Sequence, residues 1–154
     1  MGRALAGGLL RRNTRPEQIA IGEAFEGARA SLAQELRITA SADNAATVAN
    51  ASVVVVAVKP QDVGTLLQPV AHLIRASQAT VVSVAAGIRI SSLQTWCGEG
   101  VPVVRAMPNR PALVGAGATG LYAAPNVNAA HRAQAESVMQ AVGEVVWVGT
   151  EEAL

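Results

Sequence analysis

The sequence predicts an α/β fold, a doubly wound, mostly parallel sheet with helices on both faces. Three observations predict it. First, Val53-Val54-Val55-Val56-Ala57-Val58 is an unbroken apolar run, five of its six residues valine, that stops at Lys59-Pro60. β-branched side chains without polar alternation describe a strand covered on both faces, as in a parallel sheet between helices. Second, strand-like and helix-like stretches alternate along the chain. Third, the 154 residues are 51% apolar but only 3% aromatic. The core must then be built from Ala, Val, Leu and Ile, whose small side chains suit close helix-on-sheet packing, and the length suffices for one domain.

Each element has its own signal. Met1 to Leu10 reads as a helix with Leu5 and Leu9 on one face, and Asn13 to Pro16 as a turn. Gln18 to Gly22 is a short strand with Glu23 at its carboxyl end. Ala28, Leu32 and Leu36 make a helical stripe at four-residue spacing. Ile38-Thr39 is a weak edge strand, and Asn44 to Asn50 a short helix leading into the valine strand, which Pro60 ends after Lys59. Leu66, Leu67, Val70, Leu73 and Ile74 mark an amphipathic helix that Pro69 bends or splits. Thr80 to Val84 is a strand ending in Ala85-Ala86-Gly87, and Ile90 to Trp96 a short helix. Val101 to Ala106 is a strand that opens into the loop Met107-Pro108-Asn109-Arg110-Pro111. Ala118 to Tyr122 is a further strand, Asn128 to Val142 a helix with Ala135, Val138, Met139 and Val142 inward, and Glu144 to Val148 a last strand.

Composition narrows the function. A net charge of +1 gives no field for steering nucleic acid or a membrane surface, so neither is an expected partner. No apolar run approaches the roughly 20 residues of a membrane span. The single cysteine, Cys97, excludes an intrachain disulfide and agrees with a reducing, cytoplasmic setting. Arg11-Arg12 follow the apolar stretch of the first ten residues instead of preceding it, which argues against a signal peptide.

In open α/β sheets the ligand lies beyond the carboxyl ends of the strands. Three strands here end in small or proline-containing loops: Val58-Lys59-Pro60, Val84-Ala85-Ala86-Gly87 and Met107-Pro108-Asn109. Together they form a rim of little side-chain bulk that a flat ligand can approach along the backbone. Ala85-Ala86-Gly87 alone reads as a tight turn, and Lys59 alone as a solvated strand-end lysine. Asn44 suits both a helix cap and a ligand contact. Glu23 follows Gly2 by 21 positions, close to the ~20 expected of an acidic residue that accepts from the ribose hydroxyls of a dinucleotide. It is equally a first-turn glutamate. His72 and His131 have no partners at metal-ligand spacing and read as surface histidines, and Cys97 as an inert thiol. No nucleophile–base pair, paired-carboxylate site or metal cluster can be assembled, so no catalytic side chain and no metal are expected. A bound cofactor would carry the reactivity.

The motifs taken together resemble one family. Val55-Val56-Ala57-Val58-Lys59-Pro60-Gln61, Val82 to Ile88 and Arg105 to Val114 resemble pyrroline-5-carboxylate reductase in order and spacing, and Gly115 to Ala123 extends the match. The resemblance implies a Rossmann-like domain using NADPH or NADH to reduce 1-pyrroline-5-carboxylate to L-proline, the last step of proline biosynthesis. It implies that Asn44, Ala57, Val58, Lys59, Pro60, Val84, Ala85, Ala86 and Gly87 contact the cofactor, with Asn109 near the nicotinamide end. It further implies a helical domain that forms a homodimer or higher oligomer and supplies much of the imine site.

The sequence departs from that pattern at three places. The family opens with a strand and a G-x-G-x-x-G turn, of which Met1-Gly2 matches the last two positions, so the first strand is expected to be missing and Gly2 to be the surviving glycine. Residues 1–149 are expected to be the NAD(P)-binding domain and 150–154 the start of the connection to the helical domain, so that the chain would be inactive alone. Arg110 stands where threonine is usual. The alternatives are another Rossmann-type dehydrogenase acting on a hydroxy acid and a non-catalytic nucleotide-binding remnant.

Overall fold

The alanine- and valine-rich extended segments pair into two sheets in the computed structural model, which describes residues 1–154. The smaller sheet has two parallel strands, β1 (Ala20–Gly22) and β2 (Thr39–Ser41). The larger follows the order β3 (Val53–Val56), β4 (Thr80–Ser83), β5 (Val103–Pro108), β6 (Gly117–Ala123) and β7 (Gly143–Trp147). Strands β3, β4 and β5 are parallel, β6 is antiparallel to β5, and β7 is parallel to β6. Between them run α1 (Gly2–Arg11), α2 (Glu26–Leu36), α3 (Asn44–Val48), α4 (Val63–Leu67), α5 (Ala71–Ser77), α6 (Ile90–Cys97) and α7 (Ala129–Met139). The architecture is the expected Rossmann-like α/β fold, with one antiparallel junction in a mostly parallel sheet.

The centre of the core lies at β4 and β5. Val81, Val82, Val103 and Val104 are fully buried between Leu67, Ile74, Leu93, Met139 and Val142 of the helical layers. Every residue of β4 is buried, so helices cover both of its faces. Pro69 splits the expected amphipathic helix, and a 3-10 turn, Gln68–Val70, joins α4 to α5. Helix α1 lies against the 3-10 turn Gln140–Val142 that follows α7. A Cβ on Gly8 would come within 2.1 Å of the Ala141 carbonyl oxygen.

Two expectations need correction. The valine strand ends at Val56, not at Lys59, and Val53, Val54 and Val55 are only half-buried. The reason is pairing: β3 bonds to β4 on one side only, and no hydrogen bonds join it to β1. The strand buried on both sides is β4. Met107 and Pro108 belong to β5 and not to a loop, opposite Gly120 and Thr119 of β6. Pro108 is the last paired residue, where a missing N–H is tolerated.

Candidate functional site

The parallel register of β3, β4 and β5 brings their carboxyl ends to one side of the sheet, and with them Ala57-Val58-Lys59-Pro60, Val84-Ala85-Ala86-Gly87 and Asn109. Lys59 and Pro60 are exposed and begin a 3-10 turn, Pro60–Asp62, with Lys59 at its N-cap position. The next loop is tied down at its start. The Val84 N–H donates to the Val56 carbonyl at 3.1 Å and the Ala85 N–H to Ser83 Oγ at 3.3 Å. It then turns at Gly87, whose φ of 74° favours glycine and whose missing Cβ faces open space. Asn109 has a structural task as well. Its Oδ1 accepts from the Ala118 N–H at 2.9 Å, and its own N–H donates to the Ala118 carbonyl at 3.1 Å.

Gly2, the first residue of α1, reaches this rim. A Cβ added to it would lie 3.5 Å from the Ala57 Cβ, so the helix start abuts the loop after β3. Backbone N–H groups at the start of a helix favour an anion such as a pyrophosphate. Gly2, Ala57 to Pro60, Val84 to Gly87 and Asn109 thus share one edge of the molecule.

Glu23 and Asn44 form a separate group at the end of the β1–β2 sheet. The Glu23 N–H donates to the Ser41 carbonyl at 2.9 Å, and its carboxylate accepts from the Phe25 N–H at 2.9 Å. The cap of α3 is Asp43, which accepts from the Ala45 and Ala46 N–H groups at 2.9 and 3.1 Å. Asn44 is therefore not the cap. Its Oδ1 lies over Gly22, where a Cβ would come within 2.3 Å. No hydrogen bond joins this group to the rim.

Sequence reasoning missed one cluster on the rim. Arg105, whose side chain is only 9% exposed, donates to the Glu151 carboxylate at 2.9 Å, and the Ile90 N–H donates to the same oxygen at 2.7 Å. Burial pushes the Glu151 carboxyl up, but the Ile90 N–H and the Arg105 and Arg89 guanidiniums outweigh it and hold the group below the usual carboxylate range. These two side chains stand 46 positions apart, and no local pattern links them. Elsewhere, Cys97 is fully buried and burial pushes its thiol up to about 11, so it stays protonated. His131 joins a capping box with Asn128 at the start of α7.

A family model described as NADP oxidoreductase, coenzyme F420-dependent, matches residues 1–87, which hold α1, the β1–β2 group and the first two loops of the rim. The chain belongs to that family. Pyrroline-5-carboxylate reductase of Pseudomonas aeruginosa is 42% identical over 151 residues, covering 98% of this chain and 55% of the relative. The same enzyme of Haemophilus influenzae is 36% identical, with 98% and 55% covered. A solved pyrroline-5-carboxylate reductase from Coxiella burnetii superposes with a TM-score of 0.94 at 32% identity, over 98% of this chain and 56% of that one. The chain thus spans about half the length of the relatives it matches.

Proposed function

We propose that the chain is the dinucleotide-holding domain of a reductase that converts 1-pyrroline-5-carboxylate to L-proline with NADPH or NADH. The observation that carries the reading is the rim. Three adjacent parallel strands end in small or proline-containing loops, and the start of α1 abuts the first of them. The residues fit a dinucleotide. Gly2 leaves the helix start open to a pyrophosphate, and Ala85, Ala86 and Gly87 offer backbone with little bulk to a flat ring. Bound there, the reduced nicotinamide would supply the hydride. The chain's own part is positioning: Ala57 to Pro60 and Val84 to Gly87 orient the dinucleotide, and Glu23 and Asn44 receive the ribose at the far end. Reduction of a protonated imine needs orientation and exclusion of water more than a strong protein acid, so no catalytic side chain is assigned here.

The unpaired edges of β1 and β3 support the domain reading. A parallel strand between β1 and β3 would pair with both, and a helical domain beyond Thr150 would complete the imine pocket and a homodimer. The cytoplasm is the proposed compartment, from the buried free thiol of Cys97. The structure has no helix long and apolar enough to cross a membrane.

The test follows dinucleotide oxidation with pyrroline-5-carboxylate, using residues 1–154 and a chain extended at both ends. Turnover by the extended chain, with none by residues 1–154 alone, is expected. Turnover of a hydroxy acid but not the imine would identify a different dehydrogenase, and binding without turnover by the extended chain a non-catalytic nucleotide-binding protein. Comparable rates from both chains would refute the need for the added segments.

A further inference from the structure

We propose that Glu151 is a positioning residue for the cofactor rim, latching the segment after β7 to the start of α6 and so fixing the loop Val84–Arg89. The proposal rests on the dinucleotide reading for its functional consequence, but its structural content stands on the contacts themselves. Arg105 sits on β5 opposite Ser83, the last residue of β4, and opposite Tyr122 of β6. A guanidinium so deeply buried needs a counter-charge, and Glu151 supplies it across the fold. The same carboxylate oxygen takes the Ile90 N–H. The N-cap of α6, Arg89, makes no side-chain cap bond. The helix start is therefore held by a residue 61 positions away, where a negative charge also meets the helix dipole.

That bond closes the rim loop at its far end. The near end is fixed by the Val84 and Ala85 N–H bonds, and between the two lies the exposed turn at Gly87. The segment has a second foothold at Leu154, whose Cδ2 fills the space over Gly120, 2.6 Å from where a Cβ would stand. Gly120 pairs with Met107 near the end of β5, so the Glu151–Leu154 segment runs along the rim from the β4 loop to the β5 end. It lines a half-open cleft of about 190 Å³ with Gly87, Arg89 and Arg105, below the ~300–1,000 Å³ of a ligand pocket. The cluster is thus a brace beside the site and not the site. The charged groups facing Glu151 are Arg105 from β5 and Arg89 from the loop, and Arg89 also meets the exposed Glu152 at 3.5 Å.

The experiment compares wild type, Glu151→Gln and Glu151→Ala in the full chain, well below their melting temperatures. Amide hydrogen exchange is read at Ala85 to Ile90 against β4, and NADPH affinity by titration. Glu151→Ala is expected to lose at least tenfold protection at Ile90 and the preceding loop with β4 unchanged, and to bind NADPH about tenfold more weakly. Glu151→Gln keeps an acceptor for Ile90 and should fall between. Unchanged exchange at the loop, loss spread equally over β4, or loosening without any change in affinity would each overturn the proposal. If wild type binds no dinucleotide, the reading of function fails, and exchange alone then decides whether the latch exists.

Discussion

Gly7 and Gly8 are neighbours in α1, both buried, and substitution by alanine should move stability in opposite directions. In a helix interior alanine is favoured over glycine by about 1 kcal/mol, which both variants gain. At Gly7 the new Cβ would stand 3.4 Å from Arg11 Nη1 and 3.8 Å from Leu36 Cδ2. The first neighbour is the tip of a flexible side chain, so the gain survives and Gly7→Ala should be stabilised by ~0.5–1 kcal/mol. At Gly8 the Cβ would stand 2.1 Å from the Ala141 carbonyl oxygen and 2.8 Å from its carbon. Relief requires the helix and the 3-10 turn Gln140–Val142 to part by roughly 1 Å, against contacts optimal near 3.5 Å. Overpacking of this kind costs about 1–3 kcal/mol, and backbone against backbone belongs at the upper end. The net expectation is a loss of ~1–2 kcal/mol for Gly8→Ala. Parting α1 from that turn also moves Gly2 relative to Ala57, so dinucleotide affinity should fall in Gly8→Ala and hold in Gly7→Ala. Urea unfolding with equal m-values for the three proteins gives the comparison. A Gly8→Ala protein as stable as wild type would refute the close approach of α1 to Ala141.

Four further outcomes are expected. If Glu23 takes the ribose as proposed, its carboxylate would accept from a 2′-hydroxyl and repel a 2′-phosphate, so the chain extended at both ends should use NADH at least as well as NADPH; kcat/KM for both, in wild type and Glu23→Ser, checks this, and an unchanged preference would sink it. Val56→Asp buries an unpaired charge in a fully buried position and should cost several kcal/mol, whereas Val55→Asp, half-buried, should cost less; equal melting temperatures would contradict the burial difference. The Glu151 carboxyl is held below its unfolded value of about 4.3, so its stabilisation is complete above that pH and lost as pH falls through the folded value. Glu151→Gln should accordingly flatten the acid limb of the stability curve and leave the neutral-to-alkaline part parallel to wild type. Residues 1–154 alone should self-associate with rising concentration through the free edge of β3, and monodisperse sedimentation at high concentration would exclude that.

Much of this fold was legible because apolar periodicity reports burial. The Leu67–Val70–Ile74 stripe and the Ala135–Met139 face fall where the side chains are buried, and of the valine run Val56 does. Register and pairing were less legible, since they depend on segments far apart. The half-burial of Val53 to Val55 follows from the missing bonds between β1 and β3, which no window around Val55 contains. Pro108 reads locally as a strand breaker, yet it is the terminal partner of Thr119. Asn44 and Asp43 are both good caps by residue type, and only backbone direction places the Asp43 carboxylate on the Ala45 and Ala46 amides. The rim loops were visible as low-bulk strand ends. The Arg105–Glu151 brace was not, because an ion pair across the fold leaves no trace at either position.

The separation of the two sheets ties stability to function in this domain. β1 has three residues and bonds only to β2, while β3 has four and bonds only to β4. Proteins guard free edges with prolines, inward charges or bulges. β3 has none within Val53 to Val56, and its first charged neighbour on the carboxyl side is Lys59. A parallel strand laid between the two would remove both edges at once, and its carboxyl end would arrive beside Gly2 and Ala57. There such a strand would turn sharply into α1 and leave the helix start open to an anion. The one inserted strand would therefore unite the group at Glu23 and Asn44 with the rim at Ala57 and Gly87. Those two halves of the proposed dinucleotide site, as they stand, share no hydrogen bond. Cofactor affinity and sheet continuity are accordingly one property here, and a change that splits the sheet should weaken binding even where no contact residue is altered.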